Sequence, residues 1–253
     1  MMKMVVAYVH AAKRSYLKMD KFKKIVKWIF DSYIWLGVLL LIIDIVTKNV
    51  IVANGEYIRT AHQYPNGGGG IDLIPGFLGI NYVINERIAF GLTLGTPEIT
   101  RIVFSIVAIL VAIGIIIYLW KKWDKTNRYY RACLMMIITG AIGNVIDRIF
   151  YTAEYLNYTN ASGELATGVV DWIDFYGIWQ FNFNIADSCV VVAAFMLIIY
   201  MIITEVNEYM KKRKLEKKSE ATNPKNDESK VLSATEQEKI RLLEKDKEDH
   251  KNE

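Results

Sequence analysis

Hydrophobic positions in this chain of 253 residues come in solid blocks, not at the helical or strand period of elements that bury one face. Four blocks, over 33–53, 99–120, 130–149 and 185–204, each reach about 20 residues, the length a helix needs to cross the hydrocarbon core of a bilayer. Polar connectors separate them at 54–98 and 150–184, a basic segment leads at 1–32, and a charged tail follows at 205–253. The pattern predicts a membrane all-α fold, a four-helix transmembrane bundle over 33–204. In the first connector LIPGFLGINYVINERIAFGL, 73–92, mixes turn formers with short alternating apolar runs, so a small extracytoplasmic strand-rich cap is expected above the bundle.

Composition supports a membrane domain with polar ends: 53% of residues are hydrophobic, too many for an ordinary soluble domain with 23% charged residues. Lys and Arg flanks set the direction. Lys3, Lys13, Arg14, Lys18, Lys21, Lys23, Lys24 and Lys27 precede the first block, and KKWDKTNRYYR at 121–131 joins the second to the third. Both segments are expected in the cytoplasm, as is KKRK at 211–214, which puts both termini inside and both connectors outside. The net charge of +4 lies beside the spans, where it meets membrane lipids, so no nucleic-acid partner is expected.

Within 17–30, Leu17, Phe22, Ile25, Val26, Ile29 and Phe30 recur at helical spacing among lysines. The segment reads either as a basic amphipathic helix on the inner membrane surface or as a cytoplasmic extension of the first span. The stretch YPNGGGG, 64–70, reads as a flexible turn without the ending of a phosphate loop. The tail has the composition of a solvated, partly helical segment, with Ser233 and Glu236 spaced as a capping pair. Cys133 and Cys189 begin spans at opposite membrane faces, whereas a disulfide needs Cα atoms within about 7 Å, so both are read as packing residues.

Chemistry is narrowed by what the sequence lacks. Gly-x-Ser-x-Gly does not occur, and His10, His62 and His250 are far apart, so serine-triad and zinc chemistry are not expected, nor is a metal or cofactor. Carboxylates and amides remain, in three clusters. Asp44 and Lys48 are four apart in the first span and are expected to neutralise each other while Lys48 snorkels outward. In GAIGNVIDR, 140–148, Gly140, Asn144 and Asp147 share one helix face, and Arg148 beside Asp147 suggests an ion-paired structural aspartate. In VVDWIDFYGIWQFNFNIAD, 169–187, Asn184 and Asp187 share a face at the outer end of the last span, and a turn in the aromatic connector would fold Asp171 over Asp187. Two carboxylates in reach of each other share a proton, as in aspartic proteases.

Taken together, Asp44-Ile-Val-Thr-Lys48, IPGFLGINYVINERIAFGL at 74–92, GAIGNVIDR, VVDWIDF at 169–175 and FNIADS at 183–188 resemble the lipoprotein signal peptidases, the bacterial signal peptidase II family. The resemblance covers about 34–204. It implies a metal-independent aspartic endopeptidase of the bacterial inner membrane that cleaves diacylglyceryl-modified prolipoproteins just before the lipidated cysteine. It implies Asp171 and Asp187 as the catalytic pair, Asn85, Asn144, Arg148 and Asn184 as lining or supporting residues, Asp44 and Lys48 as the matching first-span pair, and Asp147 as structural. Asp174 falls on a less constrained position and is expected at the solvent or the interface. Arg87 stands where that family usually has glycine, and TAEYLNYTNASGELAT at 152–167 lengthens the second connector, where it could alter a lid over the site. The competing class is an inactive, transport or scaffold membrane protein that uses the same polar residues to hold its helices together.

Overall fold

The computed structural model of the chain describes residues 2–61, 64, 69–86, 95–160, 163–221 and 235–243. Arg87, most of the glycine-rich turn and Ser233 lie outside the described residues. The chain divides into two compact units, Met1–Leu197 and Ile198–Glu253.

The first unit contains α1 (Met2–Ser32), α2 (Ile34–Ala53) and α3 (Gly55–Thr60), then β1 (Ile71–Ile74) and β2 (Leu78–Asn85). It continues with α4 (Pro97–Lys122), a short 3-10 turn (Trp123–Lys125), α5 (Arg128–Phe150), α6 (Ala153–Leu156), β3 (Val169–Asp174) and β4 (Asn182–Phe183). Helix α7 (Ile185–Ala221) begins here and continues into the second unit, which also has a helix over 235–243.

Helices α2, α4, α5 and α7 are each long and apolar enough to cross a membrane. Helix α5 is the central one: 44% of its span is buried within the protein, against 11% to 22% for the others. Its small residues explain why it can be central. A Cβ on Gly140 would meet the backbone oxygen of Ala186, and one on Gly143 would come within 2.7 Å of Asp44 Oδ2 and 2.9 Å of the Ala186 Cβ. Glycine at these two positions lets α5 lie directly against α2 and α7.

Helix starts follow local chemistry. Thr96 caps α4 ahead of Pro97 in the first turn, and Asn127 Oδ1 accepts from Tyr130 N at 2.8 Å to cap α5. Tyr33, between α1 and α2, is left-handed at φ 60°, so α1 is a separate helix and not a continuation of the first span. Residues 17–30 lie wholly within α1.

The cap is a four-stranded antiparallel sheet in the order β1-β2-β3-β4. Its central pairing sets Val83 opposite Asp171 and Asn85 opposite Val169. The long second connector is part of this cap. Helix α6 ends at left-handed Asn157, a bridge pairs Thr159 with Leu165, and Leu156 is buried at 1% exposure against Tyr82 and Tyr151. The Tyr82 hydroxyl donates to the Leu156 carbonyl, and the Tyr155 hydroxyl to Asn49 Oδ1 near the C-terminal end of α2. Burial of its ring region pushes the Tyr82 hydroxyl up to about 12.

Candidate active site

Strand β3, the first turn of α7 and the C-terminal halves of α2 and α5 converge on one polar cluster. Asp171 lies in mid-strand and is 2% exposed. Consecutive buried residues Val169, Val170 and Asp171 mean that this strand is enclosed on both faces. Asp187 lies in the first turn of α7 and is only half-buried. Helical geometry starts at Ile185, so Asn184 is the cap: its Oδ1 accepts from Asp187 N at 2.8 Å while its own N–H donates to Asp187 Oδ2 at 3.3 Å. This reciprocal arrangement is a capping box with aspartate in the third position.

The same Asn184 reaches the other carboxylate. Its Nδ2 donates to Asp171 Oδ1 at 2.7 Å, and Asn85 Nδ2 donates to Asp171 Oδ2 at 2.9 Å. Asn144 Nδ2 donates to Asp187 Oδ1 at 2.7 Å, and Asn144 Oδ1 accepts from Asn184 Nδ2 at 3.1 Å. Each aspartate thus has both oxygens held, and one asparagine touches both. Burial, and next the negative charge of Asp187, push the Asp171 carboxyl well above the usual carboxylate range, against the opposing pull of Asn85, Lys48 and Asn184.

Beneath the pair lies a buried ion cluster. Lys48 is 0% exposed, and its ammonium donates to Asp44 Oδ2 at 2.7 Å and to Asn144 Oδ1 at 3.3 Å while pairing with Asp147 Oδ2 at 2.9 Å. Lys48 does not snorkel, because these three acceptors satisfy the three ammonium donors inside the bundle. Asp147 pairs with Lys48 of a different helix and not with Arg148, since neighbouring residues on a helix do not face one another. The Arg148 guanidinium instead donates to the Asn144 carbonyl at 3.1 Å, within electrostatic reach of Asp187, Asp147 and Asp171.

Both outer acids of the cluster also hold backbone. Asp44 Oδ1 accepts from Ala186 N at 2.9 Å, and Asp147 Oδ2 accepts from Val170 N at 3.1 Å. Each contact is to the residue immediately before a dyad aspartate, so the ion cluster fixes both carbons from which the carboxylates project. No residue pattern signals this role, because the donors are main-chain groups.

Asp174 is corrected as well. It is 7% exposed at the end of β3, opposite Gly79, with Asn81 Nδ2 at 3.4 Å from its carboxylate. Its charge adds to burial in raising the Tyr64 hydroxyl. The remaining expected residues come together: Asn85, Asn144, Arg148, Asn184, Asp44, Lys48 and Asp147 all join one network around Asp171 and Asp187. Cys133 and Cys189 are buried free thiols.

Comparison with known proteins fits this arrangement. The family described as Signal peptidase (SPase) II matches residues 31–203. A lipoprotein signal peptidase of Fusobacterium nucleatum is 34% identical over 168 residues, 66% of this chain and 84% of that protein. One from Desulfitobacterium hafniense is 36% identical over 141 residues, 56% of this chain and 80% of its own length. Among solved structures, a bacterial membrane enzyme determined by the in meso method at 2.3 Å resolution has 28% identity and a TM-score of 0.50, covering 69% of this chain and 89% of that one. With the match running through all four spans and the cap, this chain belongs to the signal peptidase II family of membrane proteases.

Proposed function

We propose that the protein is an aspartic endopeptidase that removes signal peptides from diacylglyceryl-modified prolipoproteins, cutting just before the lipidated cysteine, with Asp171 and Asp187 as the catalytic pair. The observation that carries this reading is the double attachment of Asn184, whose amide holds Asp171 while its backbone and side chain hold Asp187. Two carboxylates tied to one residue, one enclosed and one half-open, form an acid and a base of unequal strength.

Asp171, enclosed and raised, holds the shared proton; Asp187, nearer the opening, is the base. Asp187 takes a proton from water as the oxygen attacks the scissile carbonyl, and Asp171 gives its proton to the carbonyl oxygen. When the tetrahedral intermediate collapses, Asp187 passes its proton to the departing amine of the cysteine and Asp171 recovers its own. Asn144 and Asn85 keep Asp187 Oδ1 and Asp171 Oδ2 oriented through both steps. Arg148 and Lys48 limit the negative charge that two acids and an oxyanion would otherwise concentrate.

The rest of the organisation follows. The protein is read as a multi-pass protein of the bacterial inner membrane, with the basic segment 1–32 and the charged tail 205–253 in the cytoplasm and the protease domain 33–204 opening at the outer face. There the substrate's lipid can stay in the outer leaflet while its peptide bond meets water.

Purified protein incubated with a diacylglyceryl-modified prolipoprotein, in the presence of a chelator, tests this reading. Mass spectrometry is expected to find a product beginning at the lipidated cysteine, at an unchanged rate with chelator. Absence of that product, cleavage elsewhere, or inhibition by chelator would overturn it.

A further inference from the structure

Helix α1 carries an apolar face that is left exposed among the described residues. Met19, Phe22, Ile25 and Phe30 are exposed by 55% to 67%, and with half-buried Val26 and Ile29 they fall in one arc of about 140° around the helix axis, broken by Lys18. Lys21, Lys23, Lys24 and Lys27 fall in the opposite arc, together with Asp20, which pairs with Lys24, and with exposed Tyr16 and Leu17.

The C-terminal end of α1 is fixed where the spans emerge. Trp28 stacks on Trp123 with ring centroids 5.9 Å apart, Arg128 pairs with Asp31 at 2.6 Å, and Arg131 donates to the Asp31 carbonyl at 3.3 Å. Trp123 follows α4 and Arg128 begins α5, so α1 is held at the level of the span ends, and left-handed Tyr33 breaks it from α2. At that junction an open hollow of about 360 Å³ is lined by Lys27, Phe30, Asp31, Tyr33, Trp35 and Arg128. Lys27, with Arg128 paired to Asp31, beside three aromatic rings suits a lipid headgroup at a membrane boundary.

We infer that α1 is an interfacial anchor: its apolar arc sinks into the acyl boundary, while its basic arc and the hollow at Tyr33 take the headgroup phosphates of anionic phospholipids. Charge decides the occupant. Residues 16–32 set Lys18, Lys21, Lys23, Lys24 and Lys27 against Asp20 and Asp31, and a membrane span begins just beyond the break at Tyr33. The apolar arc, 19–30, precedes the family match at 31–203, and none of its residues takes part in the proposed chemistry.

The full chain in nanodiscs of phosphatidylcholine, with and without phosphatidylglycerol, tests the inference. A fluorophore is placed on Phe22→Cys, Ile25→Cys, Lys23→Cys or Lys27→Cys and quenched by nitroxides on the lipid acyl chains; the native thiols are buried. Quenching at 22 and 25 is expected to exceed that at 23 and 27 by about twofold and to rise with phosphatidylglycerol. The Lys21, Lys23, Lys24, Lys27→Gln variant is expected to lose that rise and to keep prolipoprotein cleavage. Equal weak quenching at all four positions, or no response to phosphatidylglycerol, would overturn the inference. So would protection at 22 and 25 that appears only with two copies per disc, which would assign the face to a second copy of the chain.

Discussion

Asn184 donates its side-chain amide to Asp171 at 2.7 Å while its side-chain oxygen caps the helix that carries Asp187. The two jobs can be separated. Serine at 184 keeps a capping oxygen but is too short to reach Asp171, so Asn184→Ser is expected to lower kcat by about a hundredfold with near-normal stability. Asn184→Ala should lose the same activity and about 1 kcal/mol of stability besides. Turnover of the modified prolipoprotein, set beside thermal unfolding in detergent, reads both.

Asp171 gives a pH dependence with a definite sign. Its carboxyl is raised in the folded protein, chiefly by burial, so folding favours its protonated form. The stability it contributes is full below its unfolded value of about 3.9 and is lost as pH rises through the raised folded value. Asp171→Asn is therefore expected to abolish turnover yet raise the unfolding temperature at pH 7 to 8, with the gain vanishing below about pH 4. A variant less stable than wild type across that whole range would refute the assigned shift.

Lys48 is the opposite case, a buried charge whose loss strands two others. Lys48→Met leaves Asp44 and Asp147 unpaired at 1% exposure and is expected to cost about 3–5 kcal/mol. Adding Asp44→Asn and Asp147→Asn removes the stranded charges and should restore much of the stability. Thermal unfolding of the single and triple variants checks this, and equal loss in both would place the effect in packing instead.

What could be read from the sequence divides along physical lines. Spans and strand-rich cap were legible because membrane burial writes itself as composition, and Asn184 with Asp187 because three residues apart at a helix start is a local relation. The partner of Asp147 was not: Lys48 lies in another helix, and only the close approach of α5 to α2, where Gly143 meets Asp44, brings the two together. The burial of Asp174 was also hidden, since β3 is enclosed on both faces and shows no alternation from which an inward side could be inferred.

The long second connector should act as a strut for the cap. Leu156 fills the space between Tyr82 and Tyr151, and Asn160 Nδ2 lies 3.1 Å from Glu86, next to Asn85 of the dyad's own network. Leu156→Ala is expected to destabilise the cap by about 2–5 kcal/mol. Faster amide exchange in β2 and β3, with exchange in α4 unchanged, is the expected signature.

The decisive measurement is turnover of a purified diacylglyceryl-modified prolipoprotein by wild type and by the Asp171→Asn, Asp187→Asn and Asp147→Asn variants, each corrected for its folded fraction. Asp171→Asn and Asp187→Asn are expected to fall by about 10⁴-fold or more, whereas Asp147→Asn, once corrected, should stay within about tenfold of wild type. Near-normal turnover by either dyad variant, or a loss in Asp147→Asn as deep as theirs, would contradict the assignment of Asp171 and Asp187 as the catalytic pair.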